Sequence, residues 1–215
     1  MDEIQIVDIA SIIVALAFAI IGHEIMHGYV AYRYGDDTAK SQNRLSINPI
    51  VHIDPIGTIL VPAMLYFSGA GFLFGWAKPV PINTHIVKKN GGYNALIAVS
   101  LAGIAFNFTI ALIAVTLLKF IPAVDSLGTL FLQKVLWYSV IYNVVLGVFN
   151  LYPIPPLDGS HAISYLFSKM GIYQVEEFFN KIAQYGMILL MVIIATPISS
   201  VIFKPISYIL SSILQ

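Results

Sequence analysis

The chain has 215 residues, of which 58% are hydrophobic and only 10% charged, and its mean hydropathy is +0.84. Soluble domains carry roughly 25% charged residues, so the composition excludes an ordinary soluble domain and predicts a polytopic membrane protein. Net charge is zero with no basic block, so nothing points to nucleic acid as a partner, and the absence of cysteine excludes disulfides and thiolate zinc sites.

The N-terminus, Met1-Asp2-Glu3, lacks the positive leader of a secretory signal, although Ala15-Leu16-Ala17 resembles a cleavage site. It reads as a retained first helix from Val7 to Tyr34, ending at Gly35 and long enough to cross roughly 30 Å of hydrocarbon. Acidic Asp2, Glu3 and Asp8 precede this helix and basic Arg33, Lys40 and Arg44 follow it, so its C-terminal end is expected in the cytoplasm.

Within that helix stands His23-Glu24-Ile25-Met26-His27. Two histidines four apart share one helix face, and both imidazoles can reach one tetrahedral Zn²⁺. Glu24 is the wrong neighbour for a third ligand but is placed to take a proton from an activated water. A solvated helix face does not explain these residues, because Ser11 is the sole polar residue from Ile9 to Ile21. Ionisable groups at membrane depth point to function. At 1.5 Å per residue, His27 lies about 9 Å and His23 about 15 Å along the axis from Arg33, in the cytoplasmic half of the bilayer.

Asp36 to Pro55 is rich in turn-formers and predicts a loop, with short strands as an option. Within it, His52 and Asp54 read as a metal pair or as loop and capping residues. Ile56 to Trp76 is apolar but interrupted by Ser68-Gly69-Ala70-Gly71, so it spans or re-enters. The re-entrant form leaves only Lys119, Lys134 and Lys204 of the basic residues outside, which favours it. Trp76 and Tyr93 suit headgroup level, on either side of an interfacial loop.

Tyr93 to Leu118 is the next span, with Asn107 deep in its apolar body and a small-residue surface at Ala102, Gly103 and Ala105. Asn107 needs a buried partner, either another helix or the reaction. A turn from Phe120 to Ser126, broken by Pro122, leads to a span over Leu130 to Phe149. In Asn150 to Gly159, Pro153, Pro155 and Pro156 forbid a regular helix. An unwound segment at depth that ends in Asp158 makes sense if the carboxylate meets a cation; an N-cap for the helix from Gly159 to Phe167 is the alternative. His161 reads as support for that carboxylate or as packing. Ile172 to Lys181 predicts a short amphipathic helix, and Ile182 to Val201 a last span bent by Pro197. Pro205 to Leu214 is too short to cross. The expectation is one domain, residues 1–215, all-α and polytopic. It has about five to six transmembrane segments, a re-entrant element and a short irregular or β loop after the first helix.

Five stretches together resemble the site-2 protease family of intramembrane zinc metalloproteases, peptidase family M50. They are the His-Glu-x-x-His of His23 to His27, the Asn-x-x-Pro-x-Pro-x-x-Asp-Gly of Asn150 to Gly159, and the intervening segments Arg44 to Pro49, His52 to Thr58 and Gly75 to Pro81. Ile104 stands where the family usually has proline. The chain resembles the core-only branch, without a PDZ or nucleotide-sensing domain. The resemblance implies that His23, His27 and Asp158 hold one Zn²⁺, that Glu24 is the general base, and that Asn107 lies near the catalytic water or the oxyanion. It also implies that Asn150 holds substrate backbone; the carbonyls of the Pro153 to Pro156 stretch, with Pro153 and Pro155 as candidate substrate-binding residues, would pair with an extended substrate strand.

The expected function is therefore hydrolysis within or beside the transmembrane segment of another membrane protein, in a bilayer and with the site in the cytoplasmic half of a prokaryotic plasma membrane. A zinc-binding membrane protein without protease activity would use the same ligands but would give Glu24 no duty.

Overall fold

The computed structural model describes residues 2–69, 74–121 and 125–213. Among these there is no strand; nine α-helices carry the architecture. Helix α1 (Glu3–Arg33) starts on a capping box between Asp2 and Gln5 and ends at Tyr34, followed by Gly35 with a φ of +86°. The loop that follows contains the one-turn helix α2 (Thr38–Ser41) and a 3₁₀ turn, Pro49–His52. Asp54 then caps a π-type turn, Pro55–Leu60, by accepting from the Ile56 and Gly57 amides, and α3 (Val61–Phe67) continues from it.

The apolar stretch from Ile56 to Trp76 folds back on itself. Trp76 N–H donates to Gly57 O (3.1 Å), Thr58 Oγ1 donates to Trp76 O (2.8 Å), and Lys78 N–H donates to His52 O (2.9 Å), so the outgoing and returning legs meet. The two described legs thus come together as a re-entrant element would require. Of its expected break, Ser68 and Gly69 are seen to end α3, while Ala70 and Gly71 lie outside the described residues.

Helix α4 (Thr84–Leu118) is capped by the Asn83 side chain and bent at Gly92, and α5 (Leu127–Asn150) starts on a capping box between Ser126 and Thr129. Pro122, expected to break the chain between them, lies outside the described residues. Helices α1, α4 and α5 form the central bundle. Asp8 near the start of α1 accepts from Lys134 and Tyr138 of α5, and Tyr34 at the end of α1 accepts from Asn90 of α4, so α1 and α5 run parallel with α4 against them. Small residues line their contacts: Ala15 and Ala19 are fully buried, and Ala111 and Ala114 nearly so. Small side chains bring helix backbones close where lipid offers no hydrophobic drive for association. The outer faces carry large exposed apolar side chains, such as Ile13, Leu112 and Val201, as expected of helices facing lipid.

Asn150 is the last residue of α5; α6 (Asp158–Lys169) and α7 (Gln174–Ala183) follow, the latter carrying a Lys181–Glu177 pair at 2.8 Å. The single span expected from Ile182 to Val201 is corrected. The chain breaks at Gln184–Tyr185, forms α8 (Gly186–Ala195), breaks again at Thr196 and continues as α9 (Ile198–Ile213). Thr196 is extended (φ −110°, ψ 165°), as steric pressure from Pro197 demands.

Among the described residues three helices, α1, α4 and α5, are long and apolar enough to cross a membrane, and α7 with α8, bent by 74°, makes a fourth if the pair counts as one span. The difference from the expected five to six lies in Pro55–Phe67 and Ile198–Ile213, which are apolar but shorter. The protein is an all-α polytopic membrane protein.

Candidate active site

His23 and His27 lie one turn apart on α1 and are both buried. Asp158, the first residue of α6, meets them from more than a hundred residues away. Its Oδ2 is 3.1 Å from His23 Nε2 and 3.1 Å from His27 Nε2, and the two Nε2 atoms are 3.1 Å apart. The other ring nitrogens face oxygens: His23 Nδ1 is 2.6 Å from Asn107 Oδ1 and His27 Nδ1 is 2.7 Å from Val99 O. A carbonyl oxygen only accepts, so Nδ1 carries the proton on each ring and both Nε2 atoms present lone pairs.

Three acceptor atoms thus converge, and Asp158 Oδ2 is buried without a hydrogen bond. Such a cluster is repulsive unless positive charge sits within it, whether a metal ion or, without one, protons. Two imidazoles and a carboxylate suit zinc, whose tetrahedral ligands stand about 3.3 Å apart at ordinary bond lengths. The donor set fits the metal, and it leaves a fourth position for water. Among the described residues this is the one cluster of three such ligands.

Asp158 makes no N-cap bond; Leu157 occupies the cap position, so the capping alternative falls away. Gly159 permits the approach of this segment, since a Cβ there would collide with the carbonyl oxygen of Leu151. Glu24 accepts from Val80 N–H at 2.9 Å. It lines a cavity of about 560 Å³ together with His23, His27, Asp158, Asn150 and the extended segment from Phe74 to Ile82.

Comparison with known proteins agrees with this geometry. The model of "Peptidase family M50" matches residues 121–194. "Putative zinc metalloprotease YwhC" of Bacillus subtilis is 37% identical over 198 residues, covering 90% of this chain and 84% of that protein. The chain belongs to peptidase family M50. "Putative zinc metalloprotease Rip2" of Mycolicibacterium smegmatis is 26% identical over 81% of this chain and 62% of its own length. Rip2 of Mycobacterium tuberculosis is 31% identical over 66% of this chain and 51% of its own length. No solved structure matches. As an M50 member with these relatives, the protein is a zinc metalloprotease of the site-2 protease type.

Several expected M50 site residues sit differently from the sequence reading. Asn107 is fully buried and does not line the cavity. Its Nδ2 donates to Ala19 O (3.2 Å) and Asn143 Oδ1 (2.8 Å) while its Oδ1 faces His23, so its amide is committed to positioning a ring rather than to the catalytic water. Of Asn150 and the Pro153 to Pro156 stretch, Asn150 and Pro156 line the cavity, joined by Leu157, while Pro153 is exposed and Pro155 packs on Gly186. His161 also lines the cavity, stacked on Tyr165, with no hydrogen bond among the described residues. For His52 and Asp54 the loop and capping reading holds: His52 Nε2 donates to Ser46 O, Asp54 is the cap already described, and among the described residues neither joins a metal cluster. Trp76 also lines the cavity.

Two residues gain roles that the sequence alone left unread. A Cβ at Gly103 would lie 2.6 Å from His23 Cε1 and Nδ1 and from His27 Nε2, so only glycine lets α4 pass behind both rings. Asn143, fully buried on α5, completes the amide contact with Asn107. An amide inside an apolar helix was the signal available for it, as it was for Asn107.

Proposed function

We propose that this M50 protease hydrolyses peptide bonds within or beside transmembrane segments of membrane-protein substrates, with Glu24 as general base and one Zn²⁺ held by His23, His27 and Asp158. The observation that carries the reading is the convergence of three ligand atoms, 3.1 Å apart, one of them a buried carboxylate oxygen without a hydrogen bond. When bound, zinc supplies a Lewis acid that makes water a nucleophile near neutral pH. Glu24, on the same cavity wall, takes the proton from the attacking water and passes it to the leaving amine.

The substrate lies extended in the cavity, because a helical backbone hides its carbonyls. Asn150 and the Phe74 to Ile82 segment face it there. Along that segment, Trp76, Lys78 and Val80 spend their amides on Gly57, His52 and Glu24. Alternate residues of an extended chain point their backbone groups to the opposite edge. The Ala77 N–H and C=O have no partner among the described residues, and Ala77 lines the cavity, which supports strand addition at that edge. Bacterial relatives and the placement of Arg33 beyond the site support a plasma membrane with the zinc in its cytoplasmic half.

The test is co-expression with tagged single-span proteins. Glu24→Gln is expected to lower cleavage by roughly 100-fold or more while zinc content stays at the wild-type level. Undiminished cleavage by that variant overturns the reading.

A further inference from the structure

We infer that Asn143 is a positioning residue: through Asn107 it forms a one-way hydrogen-bond relay that holds His23 in the ring form whose Nε2 can bind a metal. The inference rests on the reading of His23 as a ligand and extends it to a third helix.

The direction of the relay is set by two backbone carbonyls, Ser139 O at its far end and Ala19 O beside Asn107. Ser139 O, a backbone carbonyl of α5, only accepts, and Asn143 Nδ2 donates to it at 2.8 Å. Asn143 Oδ1 therefore points the other way and accepts from Asn107 Nδ2 at 2.8 Å. The second hydrogen of that Nδ2 goes to Ala19 O on α1, at 3.2 Å. With both donors spent on acceptors, Asn107 Oδ1 is the atom left for His23 Nδ1, at 2.6 Å. An acceptor in that place selects the Nδ1–H ring, and a neutral imidazole with Nδ1–H keeps its lone pair on Nε2. Asn107 and Asn143 are both fully buried and neither lines the cavity, so neither touches substrate.

Without the Asn143 oxygen, Asn107 retains one acceptor for two donor hydrogens. Ala19 O alone then opposes a turned amide, which would set Oδ1 against that one carbonyl instead of against two acceptors; in the turned fraction Nδ2 faces His23 Nδ1, and the ring answers by moving its proton to Nε2, the ligand atom. His27 is immune to this switch, because Val99 O is part of the α4 backbone and cannot turn.

The experiment reads histidine ¹⁵N signals of the metal-free full chain with its imidazoles neutral, and then zinc affinity. In the wild type both rings are expected as Nδ1–H. In Asn143→Leu, His23 is expected to gain an Nε2–H population while His27 does not, with the zinc dissociation constant raised roughly 10- to 100-fold. Ser139→Ala is the matched control and is expected to change neither, since the relay uses the Ser139 backbone. A wild-type His23 that is Nε2–H overturns the relay, and this needs no variant to fold. A folded Asn143→Leu with unchanged His23 and unchanged affinity also overturns it, as does a parallel shift of His27, which would mark general loosening. A wild type that binds no zinc while His23 remains Nδ1–H sinks the metal reading instead, so the two failures are distinguishable.

Discussion

The two histidines of α1 are four residues apart, equally buried and aimed at the same carboxylate oxygen, yet they are held by different means. His27 leans on a backbone carbonyl, Val99 O, which exists whatever side chain α4 carries there. His23 leans on the side chain of Asn107, which in turn needs Ala19 O and Asn143. The first anchor is robust to mutation and the second is not. Metal ligands depend on such outer partners for tautomer and orientation, so the site has one ligand set by the fold and one set by particular amides.

Substitutions that act on both rings, on one and on neither separate these anchors. Gly103→Ala acts on both, because its Cβ would lie 2.6 Å from atoms of each imidazole. Rings fixed at both nitrogens cannot move aside without leaving ligand geometry. Zinc content should fall well below the wild-type level and cleavage by about 100-fold, the cost of misplacing reacting groups by roughly 1 Å. Metal analysis of purified protein beside a cleavage assay checks this. Asn107→Leu acts on His23 alone. Zinc affinity should weaken roughly 10- to 100-fold, and activity should recover as zinc is raised, because the amide does not line the cavity. Activity that stays lost at saturating zinc would return Asn107 to the reaction itself.

The difference between the anchors also explains what the sequence could disclose. The histidine pair is legible because the helix period is regular: a spacing of four fixes one face without knowledge of any partner. Asp158 is legible because Pro153, Pro155 and Pro156 announce an unwound segment. What faces what across helices is not written in spacing. Gly103 can be recognised as small, but its purpose exists only once α1 lies against it. Asn143 is one amide in an apolar helix, and its partner is set by the pairing of α4 with α5. Among the prolines, the turn register decides that Pro156 faces the cavity while Pro153 does not. The stretch from Ile182 to Val201 misleads for another reason: its run from Met187 to Ala195 is uniformly apolar and carries no phase, so the interruptions are hinted only at its edges, by Gln184 to Gly186 and by Thr196 with Pro197.

The smallest effect is expected where the comparison is sharpest, at Val99. Its side chain belongs to the buried cluster with Ala31, Val87, Ala95 and Leu96, and its carbonyl, not its side chain, fixes His27. Val99→Ala removes two methyl groups and leaves the carbonyl in place. The packing loss should cost on the order of 1–2 kcal/mol, measurable as a lowered midpoint of thermal unfolding. Zinc affinity should stay within about 2-fold of wild type, far from the 10- to 100-fold range in which an anchor is lost. If zinc binding instead weakened as much as in Asn107→Leu, the backbone anchor would depend on local side-chain packing after all. The distinction between a ligand set by the fold and one set by side chains would then collapse.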